Sequence, residues 1–370
     1  MNEFIPVAKP LFAGNEKIYL NECLDSGWIS SAGKYIISFE KIVAKYCGVP
    51  YAVAVSNGTV ALHLALVALG IGPGDEVIVP DLTFAATANA VIYTGAKPLL
   101  VDVEADSWTI DIEKCDDLIT SKTKAIIPVH LYGQPCQMSK ICEFANHHRL
   151  LIIEDCAEAH GAQFQGKKVG TFGDVNCFSF YGNKIITTGE GGICLTSDQK
   201  TFERLQMLRD HGMDKNHKYW HNQVGYNYRM TNIQAAIGCA QMERIDEFIK
   251  VRENIQRQYD QLLGGHPKIV IQKDLPDRKK VCWIYSVEIV NDELGISIQE
   301  IQQRLKEKGI DSRPFFIPLH KMPPYRGYRH NQLSQSVRIS QNGLSLPTFS
   351  DLSEDQIKFI AKNLIQILNE

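Results

Sequence analysis

The sequence predicts an α/β protein in which a largely parallel β-sheet is covered by helices on both faces. The first observation is the alternation of short apolar runs with helical segments from residue 39 to residue 153. The second is that these runs are continuous in Val, Ile and Leu, which is typical of parallel strands buried on both faces. The third is the length of 370 residues, which favours about two domains. In such sheets ligands bind at the carboxyl ends of the strands, so functional residues are expected there.

The elements of the first half follow in a regular order. Residues 1–25 predict an entry segment with one short helix, and the loop from Ser26 to Gly33 carries Trp28. A loop of small residues around one aromatic either lines a site or anchors the fold through its ring. Strands are then expected at 51–55, 76–79, 98–103, 125–129 and 150–153, with helices at 39–46, 60–69, 85–93 and 138–148.

The second half predicts two more strands of the same sheet and then a smaller domain. Thr231 and Gln234 fit a capping box that opens one helical stretch to residue 263, where two glycines end it. We place a large domain at residues 1–250 and a small C-terminal α+β domain at 251–370, with the boundary between 245 and 266. The small domain is expected to hold a strand at 281–289 and helices capped by Ser297 and Ser353.

Composition excludes several classes of function. A net charge of −3 and a pI of about 6.4 give no indication of a nucleic-acid or anionic-membrane partner. The N-terminus lacks the pattern of a signal peptide, and no apolar run reaches the ~20 residues of a spanning helix, so we expect a cytoplasmic protein. The ten cysteines show no zinc-like spacing. Five of them lie in apolar runs and are expected to be buried free thiols: Cys156, Cys177, Cys194, Cys239 and Cys282.

The feature that organises the functional argument is Lys184. It lies between the apolar run 175–180 and a glycine-rich turn, and a second apolar run begins at Ile193. Two short strands joined by this loop would hold the amine at a sheet edge. A partly desolvated amine loses some preference for its charged form and becomes a nucleophile, whereas a lysine considered alone is more simply a solvated loop residue.

Three other features each allow two interpretations when they are considered alone. The turn from Ser56 to Thr59 joins a strand to a helix and either binds a phosphate or is a plain connection. Asp155 ends a buried strand and either serves a site or caps the turn after that strand. Phe84 comes after another strand and either stacks on a planar ligand or fills the core. Together with Lys184 they are the equipment for pyridoxal 5′-phosphate (PLP), because a lysine holds its aldehyde and an acid keeps its ring nitrogen protonated. Ser179 is placed to add a hydroxyl to the phosphate.

Three longer motifs carry a resemblance to a known family. The segments 154–161, 179–192 and 225–232 closely resemble the DegT/DnrJ/EryC1/StrS family of sugar aminotransferases. The resemblance runs from Gly14 to the end of the chain. It implies a type I PLP-dependent aminotransferase fold and a homodimer with active sites at the subunit interface.

The resemblance implies roles for individual cofactor residues. Lys184 would be the Schiff-base lysine, Asp155 the partner of the pyridine nitrogen, and Phe84 the stacking ring. Glu158 occupies a position where many relatives have glutamine facing the phenolic oxygen, and a carboxylate there needs an intervening proton or water. Relatives that dehydrate a ketosugar carry histidine at the lysine position, so Lys184 argues against that reaction. The phosphate would be held by Gly58, Thr59 and Ser179, joined by Asn227 of the second subunit.

The resemblance also implies a substrate class. The segments beginning at Trp28, Val129, Tyr219 and Arg313 are most similar to family members that act on a GDP-linked 4-keto-6-deoxy sugar, with L-glutamate as donor. A UDP- or dTDP-linked 4-ketosugar, or a 3-ketosugar, is the alternative. The sugar nucleotide would contact Trp28, Ser30, Arg229 of the other subunit and His320, each of which otherwise supports the fold.

Two functions of other classes remain for comparison. A PLP-holding regulatory or scaffold protein without turnover would be indicated by loss of the lysine or the aspartate, and this chain keeps both. An NAD-dependent sugar-modifying enzyme would need Gly-x-Gly-x-x-Gly after an early strand, and the sequence lacks it. Transamination is therefore the expected activity.

Overall fold

The computed structural model describes residues 4–290 and 295–370, so Met1 to Glu3 of the predicted entry segment lie outside the described part. The strands are β1 Tyr51–Val55, β2 Glu76–Pro80, β3 Lys97–Val101, β4 Thr123–Ile126, β5 Leu151–Asp155, β6 Gln163–Phe164, β7 Lys167–Lys168, β8 Val175–Ser179, β9 Gly192–Thr196, β10 Ile269–Ile271, β11 Arg278–Lys279, β12 Tyr285–Ile289, β13 Arg313–Pro314 and β14 Gly343–Leu346. The α-helices are α1 Glu16–Ser26, α2 Lys34–Cys47, α3 Gly58–Ala68, α4 Ala86–Tyr93, α5 Met138–His148, α6 Gln199–Arg209, α7 Asn232–Met242, α8 Ile245–Leu263, α9 Ile298–Glu307, α10 Ser334–Asn342 and α11 Glu354–Asn369.

The central sheet has seven strands in the order β1-β9-β8-β5-β4-β2-β3. The pairs β2–β3, β2–β4, β4–β5 and β5–β8 are parallel, whereas β9 is antiparallel to both of its neighbours. The antiparallel pairing of β8 with β9 is a result of the connection, because the loop between them contains no crossover element that could return the chain for parallel pairing. The predicted α/β fold with a mostly parallel sheet is confirmed.

Helices cover both faces of this sheet. Along β1, Ala52 and Ala54 pack into one apolar cluster with α2 and α7, whereas Val53 and Val55 pack into another with α3 and α6. Side chains of a strand alternate between its faces, so each face of the sheet has its own core.

A second sheet organises the C-terminal part. It has four antiparallel strands in the order β10-β12-β14-β13, and α9, α11 and the end of α8 pack with it in a separate apolar cluster. Ile5 pairs with Ile310 and belongs to the same cluster, so the N-terminal segment packs on the second sheet. The domain division at about residue 250 stays a prediction.

Two helices differ from the prediction for reasons that lie far away in sequence. Helix α2 begins at Lys34 rather than residue 39, because the Asn232 side chain accepts a hydrogen bond of 3.0 Å from the Tyr35 N–H at its first turn. The single helical stretch expected from 231 to 263 is wrong. The capping box is present, but α7 ends at Met242 and α8 begins at Ile245. Between them the Glu243 carboxylate is held by the segment at the start of α1, with the Asn15 amide donating to it at 2.7 Å.

Two β segments also differ from the prediction. The strand expected at 281–289 begins at Tyr285, because the Val281 N–H donates to Gly133 O (3.1 Å) and the Trp283 carbonyl accepts from Arg252 (2.7 Å). The other is β7, in which Lys167 and Lys168 pair with β6 in a short hairpin that the strands expected above do not include.

Three further findings bear on the sequence arguments. The ten cysteines all lie in the described residues as free thiols, and the five expected to be buried are buried. Helix α11 has the capping box expected at Ser353 and buries one apolar face, formed by Ile357, Ile360, Ala361, Leu364, Ile367 and Leu368. Among the described residues, no helix combines the length and hydropathy that a membrane span requires.

Candidate active site

A cavity of about 680 Å³ lies at the carboxyl ends of the central strands. Its walls come from the segments after β1, β2, β5 and β8, as expected for an α/β sheet, and from two segments packed against the second sheet. Seven residues predicted to bind the cofactor line this one cavity: Gly58, Thr59, Phe84, Asp155, Glu158, Ser179 and Lys184.

The start of α3 forms one end of the cavity. Asn57 caps the helix by accepting from the Val60 N–H at 3.0 Å, which leaves the N–H groups of Gly58 and Thr59 without an acceptor inside the helix. A Cβ atom at Gly58 would lie 2.8 Å from Cβ of Ser179, so only glycine leaves this backbone open beside the serine. Free N–H groups, a helix N-terminus and a hydroxyl fit a phosphate.

Asp155 ends β5 in a fixed orientation. Its backbone N–H donates to Pro128 O (2.9 Å) and its carbonyl accepts from the His130 N–H (3.1 Å). The carboxylate accepts from the Thr87 hydroxyl at 2.9 Å and from the Ala157 N–H at 3.1 Å. Burial raises the pKa of this carboxyl, and the two hydrogen bonds oppose that shift. Asp155 is thus a buried acid that can hold a proton shared with a ring nitrogen.

Lys184 is held by the loop between β8 and β9. The loop folds back on itself, with hydrogen bonds from Thr188 N to Phe180 O (2.9 Å) and from Phe180 N to Gly191 O (2.8 Å). The Lys184 side chain is only 10% exposed, and its Nζ lies 3.9 Å from the centre of the Trp283 ring. Burial lowers the pKa of this amine, which favours the neutral nucleophile.

Glu158 is the nearest carboxylate to that amine. Its Oε1 lies 4.0 Å from Lys184 Nζ, while its Oε2 accepts a hydrogen bond of 2.7 Å from the Tyr132 N–H. Burial raises the pKa of Glu158 to about 7, although the Lys184 charge and the Tyr132 hydrogen bond oppose the shift. A group with this pKa carries a proton for part of the time near neutrality, which supplies the proton that a carboxyl facing a phenolic oxygen requires.

The Tyr132 N–H reaches Glu158 through a strained backbone. Tyr132 has φ 52° and ψ 24°, a left-handed conformation that is unusual for a residue with a side chain. Its ring is buried and in aromatic contact with four others, which hold the residue in place: Trp108, Trp283, Phe315 and Phe316.

Phe84 forms the open side of the cavity. Its ring is 58% exposed and lies 5.7 Å from that of Phe316, which comes from the segment after β13. An exposed ring at this position is available to stack on a flat ligand and does not serve as core packing.

The remaining predicted residues lie outside this cavity. The Asn227 side chain accepts from Arg229 Nε at 3.1 Å and Arg229 pairs with Asp210 at 2.9 Å, while the Arg229 backbone is bridged to Val55 of β1. Trp28 and Ser30 are exposed in the loop before α2, and Trp28 lines a separate cavity of about 900 Å³. His320 Nδ1 lies 2.8 Å from Asp81 Oδ2. The chain alone does not bring these residues to Lys184, and their roles stay predictions.

Four residues of the site were not singled out from the sequence: Thr87, Tyr132, Trp283 and Arg313. Thr87 lies one helical turn after Phe84, so the 84–87 spacing after a strand was an available signal. Trp283 and Arg313 come from segments that the sequence assigns to the small domain, and no local pattern connects them with Lys184. Arg313 lies in a motif used for the resemblance, but no function was attached to its side chain.

The arrangement fits PLP. The phosphate has the start of α3, the ring has Phe84, the ring nitrogen has Asp155, and the aldehyde has the buried Lys184 amine. The fit is supported by Gly58, because a Cβ at this position would meet Ser179 at the phosphate end of the cavity.

Comparison with known proteins agrees with this geometry. The sequence profile of the DegT/DnrJ/EryC1/StrS aminotransferase family matches residues 12–365. The chain is 49% identical over 365 residues to the GDP-perosamine synthase of Caulobacter vibrioides, covering 98% of each protein. It is 45% identical over 369 residues to the GDP-perosamine synthase of Escherichia coli O157:H7, covering 100% of each. The crystal structure of S. venezuelae DesV superposes with a TM-score of 0.90 at 35% identity, covering 96% of this chain and 95% of that one.

Proposed function

This chain belongs to the DegT/DnrJ/EryC1/StrS aminotransferase family and uses PLP, and we propose that it makes GDP-perosamine. In the proposed reaction it transfers the amino group of L-glutamate to C4 of GDP-4-keto-6-deoxymannose. The observation that carries the proposal is the similarity over nearly the whole chain to GDP-perosamine synthases in a protein whose cavity buries a lysine amine.

Lys184 has two roles in the proposed mechanism. Its Nζ, neutral in the buried free amine, would hold the aldehyde of the cofactor, and the amine of the donor would take its place there. The released Nζ then takes the proton from the α-carbon of the donor, and it returns a proton to C4 of the sugar in the second half of the reaction. Bound in this cavity, the cofactor supplies an aldehyde that takes up the amino group and a ring that withdraws electrons.

Asp155 and Glu158 control protons around that centre. Asp155, fixed by Thr87, holds the proton on the ring nitrogen, and this matters most when electron density moves into the ring. Glu158 presents one oxygen toward Lys184 while the Tyr132 N–H holds the other. We assign Glu158 to a hydrogen bond with the phenolic oxygen, made in its protonated form.

The other cofactor contacts are inferred from the cavity walls. Gly58 and Thr59 present backbone N–H groups to the phosphate, Ser179 adds its hydroxyl, and Phe84 stacks on the ring. Together they fix the position of the cofactor relative to Lys184. The reaction then takes place within one complex and does not depend on a bimolecular encounter.

The proposal includes a homodimer with shared active sites. Asn227 and Arg229 do not line the cavity of their own chain, and the resemblance assigns both to the site of a second copy. Asn227 would add to the phosphate site, and Arg229 would join Trp28, Ser30 and His320 of the recipient site in binding the sugar nucleotide. We place the reaction in the cytoplasm, where glutamate and nucleotide sugars are available.

The test is a comparison of two ketosugars in a single turnover. The enzyme is first loaded with the amino group by L-glutamate and freed of donor, then mixed with GDP-4-keto-6-deoxymannose or UDP-4-keto-6-deoxyglucose while the cofactor absorbance is followed. Rapid return of the starting spectrum with the GDP sugar, and slow return with the UDP sugar, is expected.

Each other outcome has a defined meaning. Reaction with the UDP sugar alone keeps the transamination and replaces the acceptor with the alternative substrate class. Reaction with neither sugar, in an enzyme that L-glutamate still loads, shows that the proposed acceptor is wrong. The variant Lys184→Ala is the control, and any repeated turnover in it contradicts the role given to this lysine.

A further inference from the structure

Arg313 is a cationic side chain at the cavity with no assigned partner. It lines the same cavity as Lys184, and its guanidinium makes no hydrogen bond or ion pair with any residue in the described ranges. Other arginines of the second sheet and its surroundings have such partners: Arg252 donates to Trp283 O at 2.7 Å, and Arg338 pairs with Glu288. Arg313 is thus available to a ligand.

The second sheet holds the backbone of Arg313 in a fixed position. Arg313 pairs with Ser345 and Pro314 with Leu344, at the edge of the second sheet. Proline fixes φ immediately after Arg313, and the next residue, Phe315, is only 2% exposed within the aromatic contacts around Tyr132. Arg313 therefore extends from a rigid strand, which is a precise platform for binding.

On the described cavity wall, Arg313 is the cation left to bind an anionic ligand. Among the described lining residues the cations are Lys184 and Arg313, and the carboxylates are Asp155, Glu158 and Glu190. Lys184 has Glu158 at 4.0 Å, and the proposed function assigns its amine to the cofactor. Arg313 is then the remaining cation of the described wall.

Its position relative to Lys184 favours the amino donor as that ligand. Both side chains line the same cavity, and the positive charge of Arg313 adds to the effect of burial in lowering the Lys184 pKa. The donor must bring its amine to the point that Lys184 Nζ occupies, and its carboxylates are only a few bonds away. A planar guanidinium matches a carboxylate with two parallel hydrogen bonds.

We propose that Arg313 binds a carboxylate of the amino donor, so that the cavity selects an amino dicarboxylate such as L-glutamate. This inference rests on the proposed transamination but concerns only its donor half. The same guanidinium chemistry would also bind the diphosphate of a sugar nucleotide, and the experiment separates these two sources.

The experiment measures the two half-reactions separately in wild type, Arg313→Met and Arg313→Lys. The donor half-reaction is followed by cofactor absorbance against L-glutamate concentration, and the acceptor half-reaction against ketosugar concentration. Arg304→Met is the matched control, because Arg304 is paired with Glu300 on α9, remote from the cavity lining, and its loss removes the same charge. Thermal melting shows that each variant is folded.

The expected result is a half-saturating glutamate concentration raised about 10- to 100-fold in Arg313→Met, as for loss of a charged hydrogen bond. Arg313→Lys should be intermediate, Arg304→Met should resemble wild type, and the half-saturating ketosugar concentration should stay within about twofold. Glutarate, an unreactive dicarboxylate, should also inhibit the donor half-reaction less in Arg313→Met.

Three results would overturn the assignment. A change in the half-saturating ketosugar concentration alone would assign Arg313 to the diphosphate. Equal changes in both half-reactions would indicate general damage to the cavity. No change in either would show that Arg313 does not bind the donor. A wild-type enzyme that reacts with glutamate but with no ketosugar would refute the proposed acceptor and leave this donor test intact.

Discussion

Replacing Glu158 by glutamine should make Lys184 a better nucleophile near and above neutral pH, where Glu158 of the wild type is ionised. In the wild type the Glu158 carboxylate, 4.0 Å from Nζ, stabilises the ammonium form and so opposes the effect of burial on the Lys184 pKa. Glutamine keeps the size of the side chain and an oxygen that can accept from the Tyr132 N–H. The substitution therefore removes the charge with little change in geometry.

The distance sets an upper limit on the effect. Two unit charges 4 Å apart interact by about 4 kcal/mol at an effective dielectric constant of 20, which corresponds to about three pKa units. Glu158 has a pKa of about 7 and is partly protonated near neutrality, so less than the full interaction is present there. We expect the midpoint for Lys184 to fall by about one to two units. The two-step wild-type profile, in which both groups share a proton, should become a single step.

The assay uses the protein without cofactor. The rate of covalent capture of PLP is measured from pH 5.5 to pH 10, with borohydride trapping and mass spectrometry to confirm attachment at Lys184. Glu190→Gln is the matched control, because Glu190 also lines the cavity but is exposed and does not pair with Lys184. Superimposable profiles for wild type and Glu158→Gln would refute the electrostatic argument, and equal shifts in both variants would show that the effect is not specific to Glu158.

Three further variants test separate parts of the site. Asp155→Asn should lower kcat by about a hundredfold or more while cofactor affinity changes little, and equal turnover by stopped-flow or steady-state assay would remove this residue from the mechanism. Gly58→Ala places a Cβ 2.8 Å from Cβ of Ser179. It should weaken binding of PLP about tenfold but leave capture of pyridoxal, which lacks the phosphate, unchanged by titration. Trp283→Leu removes the ring 3.9 Å from Lys184 Nζ and should lower the Lys184 pKa by about one unit in the capture assay, whereas a raised pKa would contradict a cation–π contact.

The parts of the fold that the sequence predicted are those with local signals. The strand 51–55 and the helix 138–148 were placed to the residue, because each is a continuous apolar or amphipathic segment with turn residues at its ends. The errors concern interactions across the chain. The first turn of α2 depends on Asn232, almost two hundred residues later, and the break before α8 depends on a contact with the start of α1.

The same distinction applies to the site. Asp155 ends a strand of the central sheet, Lys184 lies in the loop after another strand, and Gly58 begins a helix that follows a third. Because sites form at the carboxyl ends of strands, the sequence predicts that these residues lie close together. Trp283 and Arg313 reach the cavity only because the second sheet packs beside it, and no pattern within their own segments shows this. Asn227 and Arg229 illustrate a further limit, since they were predicted to complete the site of a second subunit and do not line the cavity of their own chain.

The aromatic contacts around Tyr132 explain how the second sheet can influence chemistry on the first. A left-handed conformation costs a tyrosine about 1–2 kcal/mol, and here the ring packing against Trp283, Phe315 and Phe316 offsets that cost. The result is an N–H directed at Glu158, and Glu158 in turn faces Lys184. Because those three rings belong to segments packed on the second sheet, the position of the carboxylate nearest the reactive amine depends on contacts made between the two sheets. Substitutions of residues on the second sheet that do not contact Lys184 can therefore change its protonation.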